Sequence, residues 1–354
     1  MTCGLGSARV LCNSRKMRIG IVTPAPPGSN YGNRITALRW ARILRRLAHR
    51  VSISQAYDGE LYDLLIALHA RRSYPSIKRF RRENLEAPVI VALTGTDLYR
   101  DIRSNHLAQK SLEIATRIVV LQPKAYDELR PVLRDKTRVI YQSALTGKRG
   151  NTTKASLPTS TLAGRSFDVC VIGHLRTVKD PFRAALAARL LPSSSRIRIL
   201  QIGGAMTAAM AKRARTEMRN NVRFRWLGEQ PPSRTLRTLA KSQLCVISSR
   251  MEGGANALSE AIVAGVPILA TRIKGNIGIL GADYPGLFDV AKTRQLAELL
   301  IRAETDPAFA AELRVTCKQL APIFDPASEK QAWADLIGEV RSPGSRRYPL
   351  KPRF

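Results

Sequence analysis

The sequence predicts an α/β fold with two doubly wound, Rossmann-like domains that face each other across a cleft. Short apolar runs of strand length alternate with helical patterns, as in parallel sheets that carry helices on both faces. This alternation stops at a polar stretch without pattern and then starts again. The chain of 354 residues is also long enough for two domains that each bury a core.

The first predicted domain covers residues 17–150. Its first strand is followed by a turn-rich loop and then by a helix with apolar residues on one face. These helix residues are Ala37, Trp40, Ala41, Leu44 and Ala48. The predicted strands of this domain are 19–22, 51–53, 63–68, 88–93, 117–121 and 138–141.

A polar linker over 151–164 leads to the second predicted domain, residues 165–325. The predicted strands of this domain are 167–173, 197–202, 222–226, 244–248 and 266–270. A last helix over 326–340 contains Trp333 and Leu336, and we expect it to cross back to the first domain. Ligands of open α/β sheets bind outside the carboxyl ends of the strands, so the residues that follow each strand are the functional candidates.

The chain is strongly basic, with 58 Lys and Arg against 27 Asp and Glu and a net charge of +31. An extension over 1–16 and a tail over 341–354 are basic and contain no acid. Met17 is an alternative start, because the first strand follows it directly. Such an excess favours anionic partners, although most of these side chains are expected to form an ordinary solvated face.

Cysteine usage and hydropathy indicate a cytoplasmic protein. The five cysteines form no Cys-x-x-Cys pair, and an odd number without a framework is typical of a reducing compartment. No apolar run reaches the roughly 18 residues of a membrane helix, so we expect no membrane span. The first residues lack the apolar stretch of a signal peptide. No His, Cys and Asp cluster has metal-binding spacing, so we expect no metal or other cofactor.

Two glutamates, Glu252 and Glu260, stand eight positions apart around a loop of small residues that leads into a helix. Glycines let backbone N–H groups approach a ligand, and a helix N-terminus favours anions such as a diphosphate. Asn256 is expected to cap that helix. Glu260, one turn in, could accept bonds from two ribose hydroxyls, whereas Glu252 could reach a sugar. The loop residues assigned to donor binding are Gly253, Gly254, Ala255 and Asn256.

A second candidate follows the first strand of the second domain, in Gly173-His174-Leu175-Arg176 and Lys179. A glycine after a strand, followed by basic residues at a helix start, is typical of a diphosphate site. Lys179 would neutralise phosphate as a point charge, and Arg176 could bind it with two hydrogen bonds. The alternative is a pair of surface cations at an ordinary turn.

Together these residues resemble the retaining nucleotide-sugar glycosyltransferases with the Glu-x7-Glu motif, which implies the GT-B fold. The phosphate motif of that family is Gly-Arg-x4-Lys. Lys179 takes the Lys position, but His174 stands at the Arg position, so Arg176 is the candidate for the missing charge.

Five segments of the chain carry a narrower resemblance: 23–28 (TPAPPG), 68–73 (LHARRS), 92–101 (ALTGTDLYRD), 173–176 (GHLR) and 249–256 (SRMEGGAN). With these segments the chain resembles the selenosugar synthases of selenoneine biosynthesis over residues 17–340. The resemblance implies transfer of a sugar from UDP-glucose or UDP-N-acetylglucosamine to the selenium of selenophosphate, with release of UDP and phosphate. It also implies a functional link to a selenophosphate synthetase and to the selenoneine-forming enzyme.

The acceptor side of this resemblance is basic. Thr94 stands where related enzymes carry a His that contacts the sugar, and His69 ends a strand, so both join Glu252 as catalytic candidates. Selenium in selenophosphate is already a strong nucleophile, so no strong general base is required, which fits the absence of an obvious Asp–His dyad in the sequence. Of the adjacent Arg71 and Arg72, one is expected to point into the site. The acceptor-binding candidates, which include a possible backbone N–H nest, are Gly28, Gly32, Asn33, Arg71, Arg72, Asp97 and Arg100.

Several alternatives remain open. His69 could be an ordinary core residue, and Asp97 could cap a helix. An ordinary glycosyltransferase with a hydroxyl acceptor is the enzymatic rival. The other rival is a nucleic-acid-binding protein on a degenerate scaffold. Only 6% of the residues are aromatic and no stacking platform is visible, so we expect no specific nucleic acid.

Overall fold

The computed structural model describes residues 16–144 and 166–341. Within them the chain forms two parallel sheets of six strands each, which confirms the predicted doubly wound α/β architecture. The predicted linker, the extension before residue 16 and the tail after residue 341 lie outside the described residues.

The first sheet has the strand order β2-β1-β3-β4-β5-β6. Its strands are β1 (Arg18–Val22), β2 (Arg50–Ser54), β3 (Leu64–Leu68), β4 (Val89–Leu93), β5 (Arg117–Val120) and β6 (Thr137–Val139). Its helices are α1 (Gly32–Arg46), α2 (Tyr74–Glu83), α3 (Ile102–Ser104), α4 (His106–Ile114) and α5 (Pro131–Arg134). Strands β3 and β4 are buried along their whole length, as expected for strands covered on both faces.

The second sheet has the order β12-β11-β10-β7-β8-β9. Its strands are β7 (Phe167–Ile172), β8 (Ile197–Ile202), β9 (Phe224–Trp226), β10 (Leu244–Ile247), β11 (Ile268–Thr271) and β12 (Leu287–Phe288). The helices of this half are α6 (Arg183–Ala188), α7 (Ala208–Asn220), α8 (Pro232–Lys241), α9 (Asn256–Ala264), α10 (Lys274–Leu280), α11 (Thr293–Thr305), α12 (Pro307–Leu320) and α13 (Pro326–Arg341). None of the helices in the described ranges has the length and apolar character to cross a bilayer.

Both sheets reverse their direction of winding next to their first strand. The chain goes from β1 outward to β2 and then returns to β3 on the other side of β1; likewise it goes from β7 to β9 and returns to β10 beside β7. Crevices at such switch points are where open α/β sheets bind ligands. The loops that follow β1, β3, β7 and β10 are therefore placed to form a site.

One expectation about the elements was wrong, and one strand was missed. Helix α1 ends at Arg46, and Ala48 lies beyond it, exposed, with a positive φ of 66°. The helical period had placed Ala48 on the buried face, but the chain already turns there towards β2. Strand β12 was not predicted, because its two residues are too short to give an alternating or apolar pattern.

Helix α13 packs against the first domain through a buried aromatic and polar contact. The rings of Trp40 on α1 and Trp333 on α13 meet edge to face, with centroids 4.8 Å apart. The buried Glu329 accepts hydrogen bonds from Trp40 Nε1 at 3.1 Å and from the backbone N–H of Ser143 at 2.8 Å. This helix therefore ties the end of the chain to the first sheet.

We expect Glu329→Ala to lower the free energy of unfolding by about 1–3 kcal/mol, because it leaves buried donors on Trp40 and Ser143 without an acceptor. Denaturant unfolding of the purified protein measures this change. Lys330→Ala, an exposed neighbour on the same helix, is the matched control and should change stability little. Equal stability of the two variants would contradict a role for Glu329 in fastening α13.

Candidate functional site

A cavity of about 610 Å³ lies between the two domains. Its walls come from the loops that follow β1, β3 and β4 in the first domain and β7, β9 and β10 in the second. The two switch points thus open into one shared space. Most of the residues singled out from the sequence border this space, so distant segments of the chain form a single site.

The loop between β10 and α9 brings Glu252 next to Lys179. Glu252 is 9% exposed, and its Oε1 accepts hydrogen bonds from Ser249 Oγ at 2.5 Å and from Lys179 Nζ. Lys179 follows β7, which pairs with β10, so the neighbouring strand ends place the two charges together. Both residues line the cavity. The lysine that was expected to neutralise phosphate thus also neutralises a buried carboxylate.

The glycines of this loop are required by the first domain. A Cβ atom on Gly253 would lie 2.6 Å from the carbonyl carbon of Thr94, and one on Gly254 would lie 2.7 Å from Cβ of Leu121. Gly254 and Ala255 line the cavity, but the lining does not include Gly253. The sequence suggested close approach to a ligand; at Gly253 the close approach is to the backbone of the opposite domain.

Asn256 does not cap helix α9, contrary to the expectation. Ala255 is the N-cap, and Asn256 is the first helical residue. Its Oδ1 accepts a hydrogen bond at 3.2 Å from Nη1 of Arg39 on α1, so the side chain faces the other domain. Ala255, Asn256 and Ala257, at the N-terminus of α9, form part of the cavity wall.

Glu260 lies one turn into α9 and borders the cavity. Burial raises the pKa of its carboxyl group to about 7, and the positive charge of Arg39 partly offsets this effect. A carboxyl group with this pKa is only part ionised at neutral pH. Its affinity for hydroxyl donors therefore depends on pH.

His174 uses both ring nitrogens. Nδ1 accepts the backbone N–H of Gly204 at 3.1 Å, so Nε2 carries the proton and donates to the carbonyl oxygen of Asn30 at 3.2 Å. His174 and Arg176 both line the cavity, and Arg176 is exposed. Arg176 is thus the better placed of the two for an anion.

The first-domain wall contains a histidine in an unusual backbone conformation. His69 follows β3 with φ +74°, and its Nδ1 accepts the N–H of Arg72 at 3.4 Å. Burial lowers the pKa of the imidazole. Its Nε2 lies 3.8 Å from Oδ2 of the buried Asp101. The sequence shows no obvious Asp–His dyad, but the turn after β4 brings Asp101 back to the end of β3.

The three predicted arginines, Arg71, Arg72 and Arg100, differ in whether they form an ion pair with Asp101. Nε of Arg71 lies 3.1 Å from Asp101 Oδ2, and Nε of Arg100 lies 3.5 Å from Oδ1. Arg71 does not border the cavity, whereas Arg72 and Arg100 do. In the part of the chain that the structure describes, Arg72 forms no ion pair. Arg72 is therefore the cation of this wall that is available to an anion.

Asp97 holds the strand ends together rather than bordering the cavity. Its buried carboxylate accepts the backbone N–H groups of Ala70 at 3.0 Å, Thr94 at 3.2 Å and Gly95 at 3.1 Å. Asp97 does not act as a conventional helix cap, since it is the first residue of a short turn of π-helix over Asp97–Asp101. It fixes the loop that carries Thr94.

The remaining candidates lie in the loop after β1 and at the start of α1. Thr94 Oγ1 donates to Oδ1 of Asn33 at 2.8 Å. Thr94, Gly32 and Asn33 border the cavity. Gly28 has φ +75° and lies outside the lining, so its freedom serves the turn of the loop.

Four site residues were not singled out from the sequence: Arg39, Asn30, Asp101 and Glu229. Each makes a contact with a residue far away in the chain. Asp101 ends the segment 92–101, but nothing in that segment predicts its contact with His69. Asn30 and Glu229 could have been flagged, since they lie in the loops that follow β1 and β9. The described residues contain no group of three His, Cys, Asp or Glu side chains arranged to hold a metal ion.

Comparison with known proteins finds one family match and several similar folds. Residues 155–322 match the model of the family described as glycosyl transferases group 1. HepE from Anabaena, solved with UDP and glucose, is 14% identical with a TM-score of 0.68, and the match covers 91% of this chain and 99% of that chain. Sucrose-phosphate synthase from Thermosynechococcus elongatus is 14% identical with a TM-score of 0.72, covering 92% and 99%. A glycosyltransferase from Rickettsia africae is 12% identical with a TM-score of 0.68, covering 93% and 99%.

The structural matches extend over both domains and confirm the predicted GT-B fold. The family match covers the second domain, including Lys179, Glu252 and Glu260. The match to the family described as glycosyl transferases group 1, over the second domain, supports a glycosyltransferase activity.

Proposed function

We propose that this glycosyltransferase is a selenosugar synthase, which transfers a hexose from a UDP-sugar to the selenium of selenophosphate in the cytoplasm. One observation carries the acceptor assignment. The first-domain wall presents Arg72 and Arg100 to the cavity, and no carboxylate of the described first domain borders it. Asp97 and Asp101 are buried and occupied by backbone N–H groups and arginines. Such a wall favours a small anion over a neutral hydroxyl acceptor.

The second domain supplies the donor half of the proposal. Arg176, Lys179 and the N-terminus of α9 surround the space where a diphosphate would lie. Glu260 would accept the two ribose hydroxyls, and Glu252 would contact the hexose. HepE, which shares the fold, has been solved with UDP and with UDP-glucose. A uridine diphosphate sugar is therefore the proposed donor, either UDP-glucose or UDP-N-acetylglucosamine.

In the proposed reaction a selenium lone pair forms the bond to the anomeric carbon while the bond from that carbon to the diphosphate oxygen breaks. The negative charge goes to the departing UDP, where Arg176, Lys179 and the α9 N–H groups stabilise it. Water then cleaves the phosphorus–selenium bond and releases phosphate and the 1-seleno sugar. The cations and the helix N-terminus balance the diphosphate charge, so we propose no metal or other cofactor.

The test is a reaction of the purified protein with selenophosphate and each UDP-sugar, with mass spectrometry for a selenium-containing hexose and for UDP. Formation of the selenosugar with either donor is the expected result. UDP release without a selenium product, in the presence of selenophosphate, would contradict the acceptor assignment.

A second candidate function is an ordinary glycosyltransferase with a hydroxyl acceptor. It is favoured by the contact between His69 and Asp101, since a histidine beside a carboxylate can act as a general base. Under this alternative the protein would transfer the hexose to a carbohydrate or lipid hydroxyl without selenophosphate. The same mass-spectrometric assay with hydroxyl acceptors separates the two.

We expect the affinity for the UDP-sugar to rise about tenfold between pH 6 and pH 8, because one carboxyl group must lose a proton to accept the ribose hydroxyls. Burial raises the pKa of Glu260 to about 7, above the ordinary carboxyl value of 4.5. The stability of the free protein depends on pH in the opposite direction from the affinity. The contribution of Glu260 to the free energy of unfolding is greatest below about pH 4.5 and falls as the pH rises through 7. Calorimetry with UDP-glucose measures the affinity, because this ligand has no phosphate group that titrates near neutral pH.

Glu260→Gln is the matched variant. It should weaken binding by about 1.5–3 kcal/mol at pH 8 and remove the pH dependence. An affinity that changes with pH to the same extent in both proteins would exclude Glu260 as the ribose ligand.

A further inference from the structure

Three polar side chains from the two domains meet at the wall of the cavity. Asn30 lies in the loop between β1 and α1, His174 follows β7, and Glu229 follows β9. Asn30 Nδ2 donates a hydrogen bond to Glu229 Oε1, and the carbonyl oxygen of Asn30 accepts the Nε2–H of His174 at 3.2 Å. A single first-domain residue thus holds two second-domain residues, one through its side chain and one through its backbone.

The second-domain half of this cluster is preorganised. Gly204 donates its backbone N–H to His174 Nδ1 at 3.1 Å, which fixes the ring and its tautomer. A Cβ atom at Gly204 would lie 3.0 Å from Glu229 Oε2 and 3.5 Å from His174 Nδ1. The glycine therefore allows both side chains to reach Asn30 from the same side.

We propose that Asn30, His174 and Glu229 form an interdomain clasp, with Asn30 as a positioning residue that sets the first-domain wall over the donor for transfer. His174 stands where the resemblance places a phosphate-binding Arg, but both of its nitrogens are engaged in this cluster. His174 thus contributes to the contact between the domains, and Arg176 is the residue that remains available to bind the phosphate. The loop that Asn30 controls leads directly into Gly32 and Asn33, which border the cavity.

The clasp is independent of the identity of the acceptor, because it concerns the alignment of two domains around a bound donor. Breaking it should shift the protein towards an open arrangement. Donor binding to the second domain alone would then survive, while the transfer step, which needs both walls, would slow. This separation distinguishes a positioning role from a general role in folding.

The test reverses the direction of the hydrogen bond between the side chains of residues 30 and 229. Asn30→Asp keeps the size and the backbone carbonyl of residue 30 but places a carboxylate against Glu229. We expect it to lower kcat roughly tenfold, to change the Kd for UDP little and to increase the radius of gyration in small-angle X-ray scattering. The double variant Asn30→Asp with Glu229→Gln lets the new carboxylate accept from the glutamine amide, and it should recover most of the turnover and the compact radius. Turnover is read as UDP release from UDP-glucose with any acceptor that the enzyme uses.

Asn220→Asp, an exposed asparagine of the second domain, is the control for the change in charge, and melting temperatures exclude unfolding. Wild-type kcat and radius in Asn30→Asp would overturn the proposal. A double variant that stays as slow and as expanded as Asn30→Asp would overturn it too, since the effect would then not pass through Glu229. If no acceptor supports turnover, the selenosugar assignment is at fault, but the scattering comparison still decides on the clasp.

Discussion

Replacing Glu252 with Gln is expected to lower kcat by about 10²–10³-fold while leaving the affinity for UDP unchanged or higher. The carboxylate of Glu252 is buried at the meeting point of the two domains and is held by Ser249 and Lys179. We place the hexose here, so the negative charge lies where positive charge develops on the sugar during transfer. The neutral amide cannot supply that charge. Loss of the ion pair also frees Lys179 for the diphosphate, which is why UDP itself should not bind more weakly.

The measurement is steady-state kinetics with a UDP-sugar together with calorimetry of UDP. Glu298→Gln, an exposed glutamate of the same domain, is the control and should behave as wild type. A parallel loss of UDP affinity and turnover would mean that Glu252 organises the nucleotide site instead. Unaltered turnover would remove it from the list of catalytic candidates.

The strand framework could be predicted from the sequence because parallel strands covered on both faces are continuous apolar runs. The segments before His69, Thr94 and Gly173 are such runs, and all three residues follow a strand in the structure. A position directly after a strand is fixed once the strand is known. Most candidates chosen by this rule lie around one cavity for that reason, although Arg71 and Asp97 do not border it.

Contacts between the domains could not be predicted, since no local pattern encodes them. The partner of Asn256 is Arg39, 217 positions away, and the partner of Glu329 is Trp40, 289 positions away. Asn256 looked like a helix cap because its preference for that position is local. The structure places Ala255 at the cap, and the asparagine side chain serves the interdomain contact instead.

The function of Asp101 illustrates the same limit at shorter range. No role is assigned to Asp101 from the sequence. In the structure the carboxylate is 4% exposed and lies beside His69, Arg71 and Arg100. Because Asp101 pairs with Arg71 and Arg100, Arg72 is left without an ion pair in the described residues. The presence of three arginines in the sequence did not indicate which of them would be unpaired.

From this arrangement we expect Arg72→Ala to raise the KM for selenophosphate at least about tenfold and to leave the KM for the UDP-sugar nearly unchanged. Hydrogen bonds to charged groups contribute about 1.5–3 kcal/mol each, which corresponds to this range. Arg72 borders the cavity without an ion-pair partner in the described residues. Arg71 does not border the cavity and is paired with Asp101, so Arg71→Ala should have a smaller effect.

Kinetics with varied selenophosphate at saturating UDP-sugar, for each variant alone, measure this difference. Arg42→Ala, an exposed arginine on α1, removes the same charge from the same domain away from the cavity and controls for long-range electrostatics. A shift of KM in the Arg42 variant equal to that in the Arg72 variant would show that the general basic field attracts the anion. A larger effect of Arg71→Ala would mean that Arg72 is not the main ligand of the anion. The cause would then be that Asp101 loses its ion pair with Arg71, rather than that the anion loses a direct contact. If neither Arg71 nor Arg72 matters, Arg100 is the remaining arginine that borders the cavity, and the double variant of Arg72 and Arg100 then decides whether this wall binds the acceptor at all.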